Sequence, residues 1–311
     1  MTEGYDALRR GTAWMDLSGR GRIVARGRDR ARLLHNLISN EVKTMRPGEG
    51  CYAFLLNPQG RIQADLCLFC FAEHFLIDTD AELREKVFQH IRRYIIADQV
   101  ELEDVTATTG ALALEGPGAG VVLAALSAPA PAPAYAHQGW GDATIAAVTL
   151  TGQPGFRIYC DAARTREIAS QLAGEGARPA TEEDARTIRI ENGRPRYGED
   201  IRETSLPQET QQMHAVSFTK GCYLGQEIVE RIRAQGHVNK KLVRLKIAAA
   251  EPPAPGTKLT AHGAEAGEIT SSVVSPEAGD VVALAYVRTN FAEGGTELEA
   301  AGQRARVCGE K

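Results

Sequence analysis

A cysteine between two glycines is the residue of this chain whose surroundings point most directly to chemistry. Lys220-Gly221-Cys222 is followed by Tyr223-Leu224-Gly225-Gln226-Glu227 and then by a helical pattern, with Glu227 and Arg231 at the favourable i, i+4 charge spacing. Unpaired N–H groups and the dipole at a helix start stabilise an anion in front of them, and Lys220 adds a positive charge. The pattern predicts a reactive Cys222 thiolate.

The alternative for Cys222 is a buried cysteine in a tight turn, whose two neighbouring glycines serve backbone geometry only. Cysteine is among the most frequently buried residue types, so residue type and spacing leave both interpretations open.

Two further motifs are weak. Cys67 and Cys70 form a C-x-x-C, but they lie in an apolar strand, where an odd separation sends the side chains to opposite faces. No zinc site is predicted, because no second pair has metal-ligand spacing. Gly116-Pro117-Gly118-Ala119-Gly120 has Val121 where a dinucleotide fingerprint needs its third glycine, so it predicts only a tight strand-to-helix turn.

Composition excludes several classes of protein. The 36 basic and 40 acidic side chains give a net charge of −4, so no general attraction to nucleic acid or anionic lipid is expected. No apolar run reaches the roughly 18 residues that a membrane helix needs, and the polar start resembles no targeting peptide. A cytoplasmic protein with no membrane partner is expected, and its six sparse cysteines are expected to be reduced thiols.

The elements that must position Cys222 alternate between strands and helices. Residues 51–56 and 62–71 predict a hairpin turning at 57–60. A four-residue apolar spacing predicts a helix over 78–97, with Asp80 as a candidate cap. Thr181 and Asp184 resemble a capping box that opens another helix.

Two later segments differ from this alternating pattern. The Ala/Pro-rich stretch 127–136 predicts a variable surface loop without a functional role. Short β-like runs from Leu242 onward predict a separate small barrel.

The Lys-Gly-Cys-aromatic-x-Gly-Gln-Glu segment resembles the motif of the YgfZ group of folate-binding proteins, which are related to the glycine cleavage T-protein. The resemblance extends over nearly the whole chain and includes Glu115-Gly116-Pro117, 189–200 and Gly267 to Pro276. It implies an α+β fold, a T-protein-like ring of three domains around a central folate cavity. The expected domains are 1–105, 106–240 with the Lys-Gly-Cys motif, and the C-terminal β-barrel 241–311.

The resemblance also implies a set of site residues around tetrahydrofolate or a derivative. Glu191 stands where T-protein-like folds place the acid that pairs with the pterin ring, whose adjacent N–H donors suit a carboxylate. T-proteins usually have two consecutive aspartates near the reaction centre, whereas this chain has Ala64-Asp65. The predicted catalytic residues are Cys222, Lys220 and Asp65; the predicted folate-binding residues are Glu191, Asp65, Tyr197, Gln226 and Arg231.

Three functions are compatible with these features. The resemblance favours a folate-dependent accessory protein in iron-sulfur cluster assembly or repair, whose partners are iron-sulfur enzymes or cluster carrier proteins and whose link to tRNA modification is indirect. An aminomethyl or one-carbon transferase is the first alternative; an aspartate restored at Ala64 is expected to matter only for it. The second alternative is a non-catalytic folate-binding scaffold in which Cys222 is structural.

Overall fold

The computed structural model describes residues 1–309. Its helices are α1 (Glu3–Arg10), α2 (Arg30–Leu37), α3 (Arg84–Arg93), α4 (Ala119–Ala125), α5 (Thr165–Gly174), α6 (Glu182–Glu191) and α7 (Gln226–Gln235). Its strands are β1 (Ala13–Asp16), β2 (Gly21–Arg26), β3 (Gly50–Leu56), β4 (Ile62–Cys70), β5 (His74–Thr79), β6 (Glu101–Asp104), β7 (Thr109–Glu115), β8 (His137–Trp140), β9 (Ala143–Ala146), β10 (Gly155–Asp161), β11 (Arg178–Pro179), β12 (Lys240–Ile247), β13 (Lys258–Ala261), β14 (Ala264–Ser275), β15 (Asp280–Arg288), β16 (Glu297–Ala300) and β17 (Gln303–Val307).

The first sheet has the strand order β3-β4-β5-β2-β6, and its neighbouring strands are antiparallel. The predicted hairpin β3–β4 is confirmed. It turns at Gly60, whose φ of +69° lies in the left-handed region that glycine adopts easily. Apolar side chains on one face of this sheet, such as Leu66, share a buried cluster with Leu34 of α2 and Ile91 of α3. The first core therefore lies on the helix side of the sheet.

The second sheet has the order β11-β1-β7-β10-β9-β8. One of its faces is covered by α4 and α5, whose Leu123 and Ile168 pack on Leu112 of β7. Its other face meets the first sheet through a cluster that includes Phe69 and Tyr159. Polar residues at the end of this contact form the cavity described below.

The third unit is a closed barrel of six strands in the order β12-β15-β14-β13-β16-β17, as the sequence predicts. Alternate positions of its strands fill the interior, including Leu245, Ile269 and Ala285. Its outer face packs through Leu242 and Tyr286 on Ile190 of α6. The α+β class with a C-terminal barrel is confirmed.

The first two units exchange chain segments. The sequence predicts a single boundary between them at residue 105. Strand β1 pairs with β7 and β11 of the second sheet, whereas Tyr197, Val216 and Val229 complete the first core. Apolar contacts between segments far apart in sequence leave no local signal of this exchange. The first barrel strand, β12, begins at Lys240.

The helix predictions had mixed outcomes. The capping box at the start of α6 is confirmed, since the Asp184 N–H donates to Thr181 Oγ1 at 3.2 Å and the Thr181 N–H donates to Asp184 Oδ2 at 2.9 Å. The prediction that Asp80 caps a helix was wrong. A short 3₁₀ turn precedes α3, and the Asp80 carboxylate pairs with Arg20 and Arg196 instead.

The C-x-x-C pair has the predicted geometry. Cys67 belongs to the cluster between the two sheets, whereas Cys70 belongs to the first core on the opposite face of β4. In residues 1–309, no helix combines the length and apolar character that are needed to span a membrane.

Asp200 fastens the barrel to α6. It is fully buried and accepts hydrogen bonds from Thr270 and Ser271 of β14, both at 2.6 Å, and from Arg189 of α6 at 2.8 Å. Asp200→Asn is expected to lower the free energy of unfolding by about 2–3 kcal/mol, because the buried Arg189 loses one of its two carboxylate partners and the hydrogen bonds to β14 weaken. Urea unfolding measures the loss. Asp142→Asn, on an exposed carboxylate, is the control, and equal stability of the two variants would contradict this role.

Candidate functional site

A polar cavity lies where the two sheets meet the segment that follows α6. Its enclosed volume is about 80 Å³. Its lining comes from both sheets, from the Pro-rich loop and from residues 189–214: Arg20, Tyr52, Asp65, Cys67, Asp80, Tyr135, Val148, Thr149, Leu150, Arg157, Arg189, Arg194, Pro195, Arg196, Gln212 and His214. A second cavity of about 520 Å³, between residues 192–212 and the barrel, shares Gln212 with the first.

Asp65 is the carboxyl group on the strand wall of the first cavity. Along β4, Ala64, Leu66 and Leu68 point into the first core, so Asp65 and Cys67 point the other way. Tyr52, a diagonal neighbour on β3, donates its hydroxyl proton to Asp65 Oδ2 at 2.7 Å. Burial and the nearby Asp80 charge raise the pKa of Asp65 to about 6, against the opposing effects of Tyr52 and Arg20. This carboxyl group can therefore change charge near neutral pH.

Three aromatic rings stand above Asp65. The His214 ring stacks on Tyr52, with centroids 5.3 Å apart, and lies nearly parallel to Tyr135 at 6.5 Å. Tyr135 comes from the Pro-rich stretch, so the prediction that this loop has no part in the site was wrong. Its φ of +66° is rare for a residue with a side chain and holds the ring toward the cavity. The stack offers a flat apolar surface to a planar ligand.

A buried carboxylate organises the cationic wall of the cavity. Asp78 faces Arg20 at 2.7 Å and Arg157 at 3.0 Å, and accepts a hydrogen bond from Tyr159 at 2.8 Å. Although burial opposes ionisation, Arg157 and Arg20 hold the pKa of Asp78 below its usual value. The wall is therefore a rigid network of fixed charges.

Glu191, predicted as the first folate ligand, does not line either cavity. Its carboxylate is buried against α1, where it accepts hydrogen bonds from Tyr5 at 2.8 Å and from Arg9 and Ser275. With both oxygens occupied and the residue 5% exposed, it has no face for a pterin ring. Its position at the end of α6 turns it toward α1 and the barrel, whereas Arg189 of the same helix faces the cavity.

The other predicted folate contacts lie outside both cavities as well. Tyr197 is buried in the first core. Gln226, the first residue of α7, accepts the Tyr223 N–H at 3.3 Å. Arg231 is exposed and pairs with Glu227 at 2.7 Å, which confirms the predicted helix pair but turns Arg231 toward solvent. Of the predicted set, the cavity brings in Asp65 alone.

Lys220 has a different position from the one predicted. Its buried ammonium group donates to three main-chain carbonyls at and beyond the end of α2, those of His35 at 2.5 Å, Ile38 at 2.7 Å and Asn40 at 2.8 Å. Burial lowers the pKa of Lys220 to about 8. All three N–H donors are used, so Lys220 fixes the loop to α2 rather than pairing with a thiolate.

Cys222 is exposed, which contradicts the interpretation as a buried turn cysteine. It precedes α7 by several residues, because the helix begins at Gln226 with Gly225 as its N-cap. Nor does it line the cavity around Asp65, although the resemblance implies a thiol near the folate. Gly225 explains the tight fit of the loop on the β3–β4 turn: with φ of +85°, a Cβ there would lie 2.6 Å from the Asn57 carbonyl oxygen.

The cavity residues suit tetrahydrofolate. The Asp65 carboxylate can accept N–H donors of the pterin ring, the rings of Tyr52, Tyr135 and His214 can stack on it, and Arg157 Nε is buried without a hydrogen-bond partner among the described residues. Ligand sites commonly measure roughly 300–1,000 Å³. At about 80 Å³ the first cavity is smaller than such sites, so a folate bound there would extend beyond it.

Tetrahydrofolate affinity is expected to rise about tenfold from about pH 5 to about pH 7. The ionised form of Asp65 accepts pterin N–H donors, and a group with a pKa of about 6 is mostly protonated at the lower pH and mostly ionised at the higher. Calorimetric titration across this range measures the change. Asp65→Asn should flatten the profile, and an unchanged slope in that variant would place the titrating group elsewhere.

Comparison with known proteins agrees with this architecture. Residues 1–220 match the GCVT N-terminal domain, and residues 240–309 match the glycine cleavage T-protein C-terminal barrel domain. An aminomethyltransferase of Rubrobacter xylanophilus is 31% identical over 301 residues, which cover 94% of this chain and 80% of the relative. A putative chloroplastic transferase of Arabidopsis thaliana is 26% identical over 304 residues, which cover 95% and 70%.

A solved structure shows the same fold. The glycine cleavage system aminomethyltransferase T from Bartonella henselae superposes with a TM-score of 0.90 at 22% identity, covering 99% of this chain and 88% of that one. Two sheets, a polar cavity and a closed barrel thus define an aminomethyltransferase-like fold. The chain belongs to the glycine cleavage T-protein family.

Proposed function

We propose that this protein is a folate-dependent accessory factor in iron-sulfur cluster assembly or repair, of the YgfZ type. Tetrahydrofolate binds in the cavity around Asp65, and the Cys222 thiolate engages a cluster, a cluster carrier protein or an iron-sulfur enzyme at the surface. The two sites are separate, since Cys222 does not line the folate cavity. A folate therefore acts on the thiol through the protein rather than by direct contact.

The exposure of Cys222 is the observation that carries this proposal. Exposed thiols are readily oxidised. Cys222 is exposed and Cys308 is partly exposed, whereas the other four cysteines are buried. The loop that presents it is held on both sides, by Lys220 and by the Leu224 N–H, which donates to the Asn36 carbonyl at 3.1 Å. Such an accessible sulfur, on a loop held at both ends, is suited to ligating a metal, because thiolates are soft ligands.

Transfer of an aminomethyl or one-carbon unit to or from tetrahydrofolate is the second candidate, and the names of the relatives support it. Asp65 would be its working carboxylate. Restoring an aspartate at position 64 does not isolate this function, contrary to expectation. Ala64 is fully buried in the first core on the opposite face of β4, so a carboxylate there would be desolvated and remote from the cavity.

A direct comparison separates the candidates. The purified protein is titrated with tetrahydrofolate and assayed for aminomethyl transfer, and the gene is expressed in cells that lack the native protein and have lost iron-sulfur enzyme activity. Folate binding with cellular rescue and no transfer supports the accessory function. Measurable transfer without rescue supports the transferase, and absence of folate binding would reject both.

A further inference from the structure

Five arginines line the cavity around Asp65, and carboxylates of the described residues form ion pairs with four of them. Four of the five are held by acidic partners: Arg20 by Asp78 and Asp80, Arg157 by Asp78, Arg189 by Glu199 and Asp200, and Arg196 by Asp80 and Glu82. The fifth is Arg194. Among the described residues, the one hydrogen bond of its side chain is to the Thr149 carbonyl, at a long 3.4 Å, and the guanidinium forms no ion pair.

Arg157, in the wall of the same cavity, has a second hydrogen-bond donor without a partner among the described residues. Arg157 is 2% exposed, and its Nε has no hydrogen-bond partner within the described part of the chain. Buried guanidinium N–H groups are nearly always satisfied, because leaving one unpaired costs roughly 1–3 kcal/mol or more. An unpaired donor in a cavity wall therefore indicates an acceptor that arrives with the ligand.

Arg194 also belongs to a segment that lines both cavities. Its neighbours Asn192 and Gly193 line the larger cavity beside the barrel, whereas Arg194 lines the smaller one, and Gln212 lines both. Arg194 lies close enough to His214 to add to the effect of burial in lowering the pKa of that imidazole. A ligand held at Asp65 and extending toward the barrel would pass directly by this guanidinium.

We propose that Arg194, with Arg157 Nε behind it, forms a carboxylate-binding subsite of the central cavity. The ligand then carries N–H donors for Asp65 at one end and a carboxylate for Arg194 at the other. This inference rests on the proposed folate function and names the group that would distinguish a folate from a simple pterin. Two sources share the chemistry: the glutamyl carboxylate of a folate, and a separate small amino acid bound beside a pterin.

Calorimetric titration of Arg194→Gln tests the subsite, with three probes. These are tetrahydrofolate, 6-methyltetrahydropterin, which has no carboxylate, and glycine added to the protein saturated with that pterin. A charge-assisted hydrogen bond contributes about ten- to a hundredfold in affinity. Arg166→Gln, which removes an exposed arginine elsewhere, controls for net charge and should bind all three probes as the wild type does.

The glutamyl source predicts that Arg194→Gln weakens tetrahydrofolate by this factor and leaves 6-methyltetrahydropterin unchanged. The amino acid source predicts that glycine binds the wild type and is lost in the variant, with both pterins unaffected. Unchanged affinity of the variant for every probe would overturn the subsite while leaving folate binding intact. Failure of the wild type to bind any probe would overturn the folate function together with it.

Discussion

Cys222→Ala is expected to abolish the rescue of iron-sulfur enzyme activity in cells that lack the native protein, while its tetrahydrofolate affinity stays within about twofold of the wild type. The thiol is exposed and does not line the cavity around Asp65, so its removal is expected to leave the fold and this cavity undisturbed. Aconitase-type activity in extracts measures rescue, and calorimetry on the purified variant measures folate binding.

The partly exposed Cys308 provides the matched control. Cys308→Ala removes a second accessible sulfur from the barrel and is expected to rescue fully, which rules out a general effect of losing a thiol. Full rescue by Cys222→Ala would reject a chemical role for this cysteine. The non-catalytic folate-binding scaffold would then be the better description.

Lys220→Met is expected to lower the free energy of unfolding by about 4 kcal/mol, the largest stability effect among the substitutions considered. The variant loses three hydrogen bonds from a charged donor and leaves the carbonyls of His35, Ile38 and Asn40 without this partner in a buried site. Chemical denaturation at pH 7 measures the change. Because the loop would detach from α2, rescue in cells should also fail.

Lys43→Met serves as the comparison, because Lys43 is exposed and its removal should change stability by no more than about 0.5 kcal/mol. A Lys220→Met protein of normal stability that nevertheless fails to rescue would contradict the anchoring role. That outcome would restore the catalytic role predicted for Lys220.

Local patterns predicted the elements well, but they did not indicate which side chains line the cavity around Asp65. The capping box at Thr181, the hairpin at Gly60 and the barrel all depend on neighbours close in sequence, and each is confirmed. The position of Asp65 on the cavity face also follows from strand alternation. These features require only the period of a strand or helix and the chemistry of a turn.

Contacts between distant segments account for what the sequence could not predict. Glu191 was selected by residue type and position in the family pattern, yet Tyr5, 186 residues away, occupies its carboxylate. Tyr135 was missed because a Pro-rich composition predicts a loop and says nothing of where its one aromatic ring points. Arg194 has no local signal, since what distinguishes it is that no acidic side chain within residues 1–309 pairs with it in three dimensions.

The exchange of segments between the first two units has a consequence for biosynthesis. The first core needs Tyr197, Val216 and Val229, so about a hundred newly made residues emerge from the ribosome with an apolar surface that nothing yet covers. Synthesis proceeds at roughly 5–20 residues per second, and the missing pieces arrive only several seconds later. Contacts between residues so far apart in sequence slow folding, so aggregation-prone intermediates remain exposed for longer. The nascent chain is therefore a natural client for chaperones that hold the first hundred residues until the Cys222 loop is made.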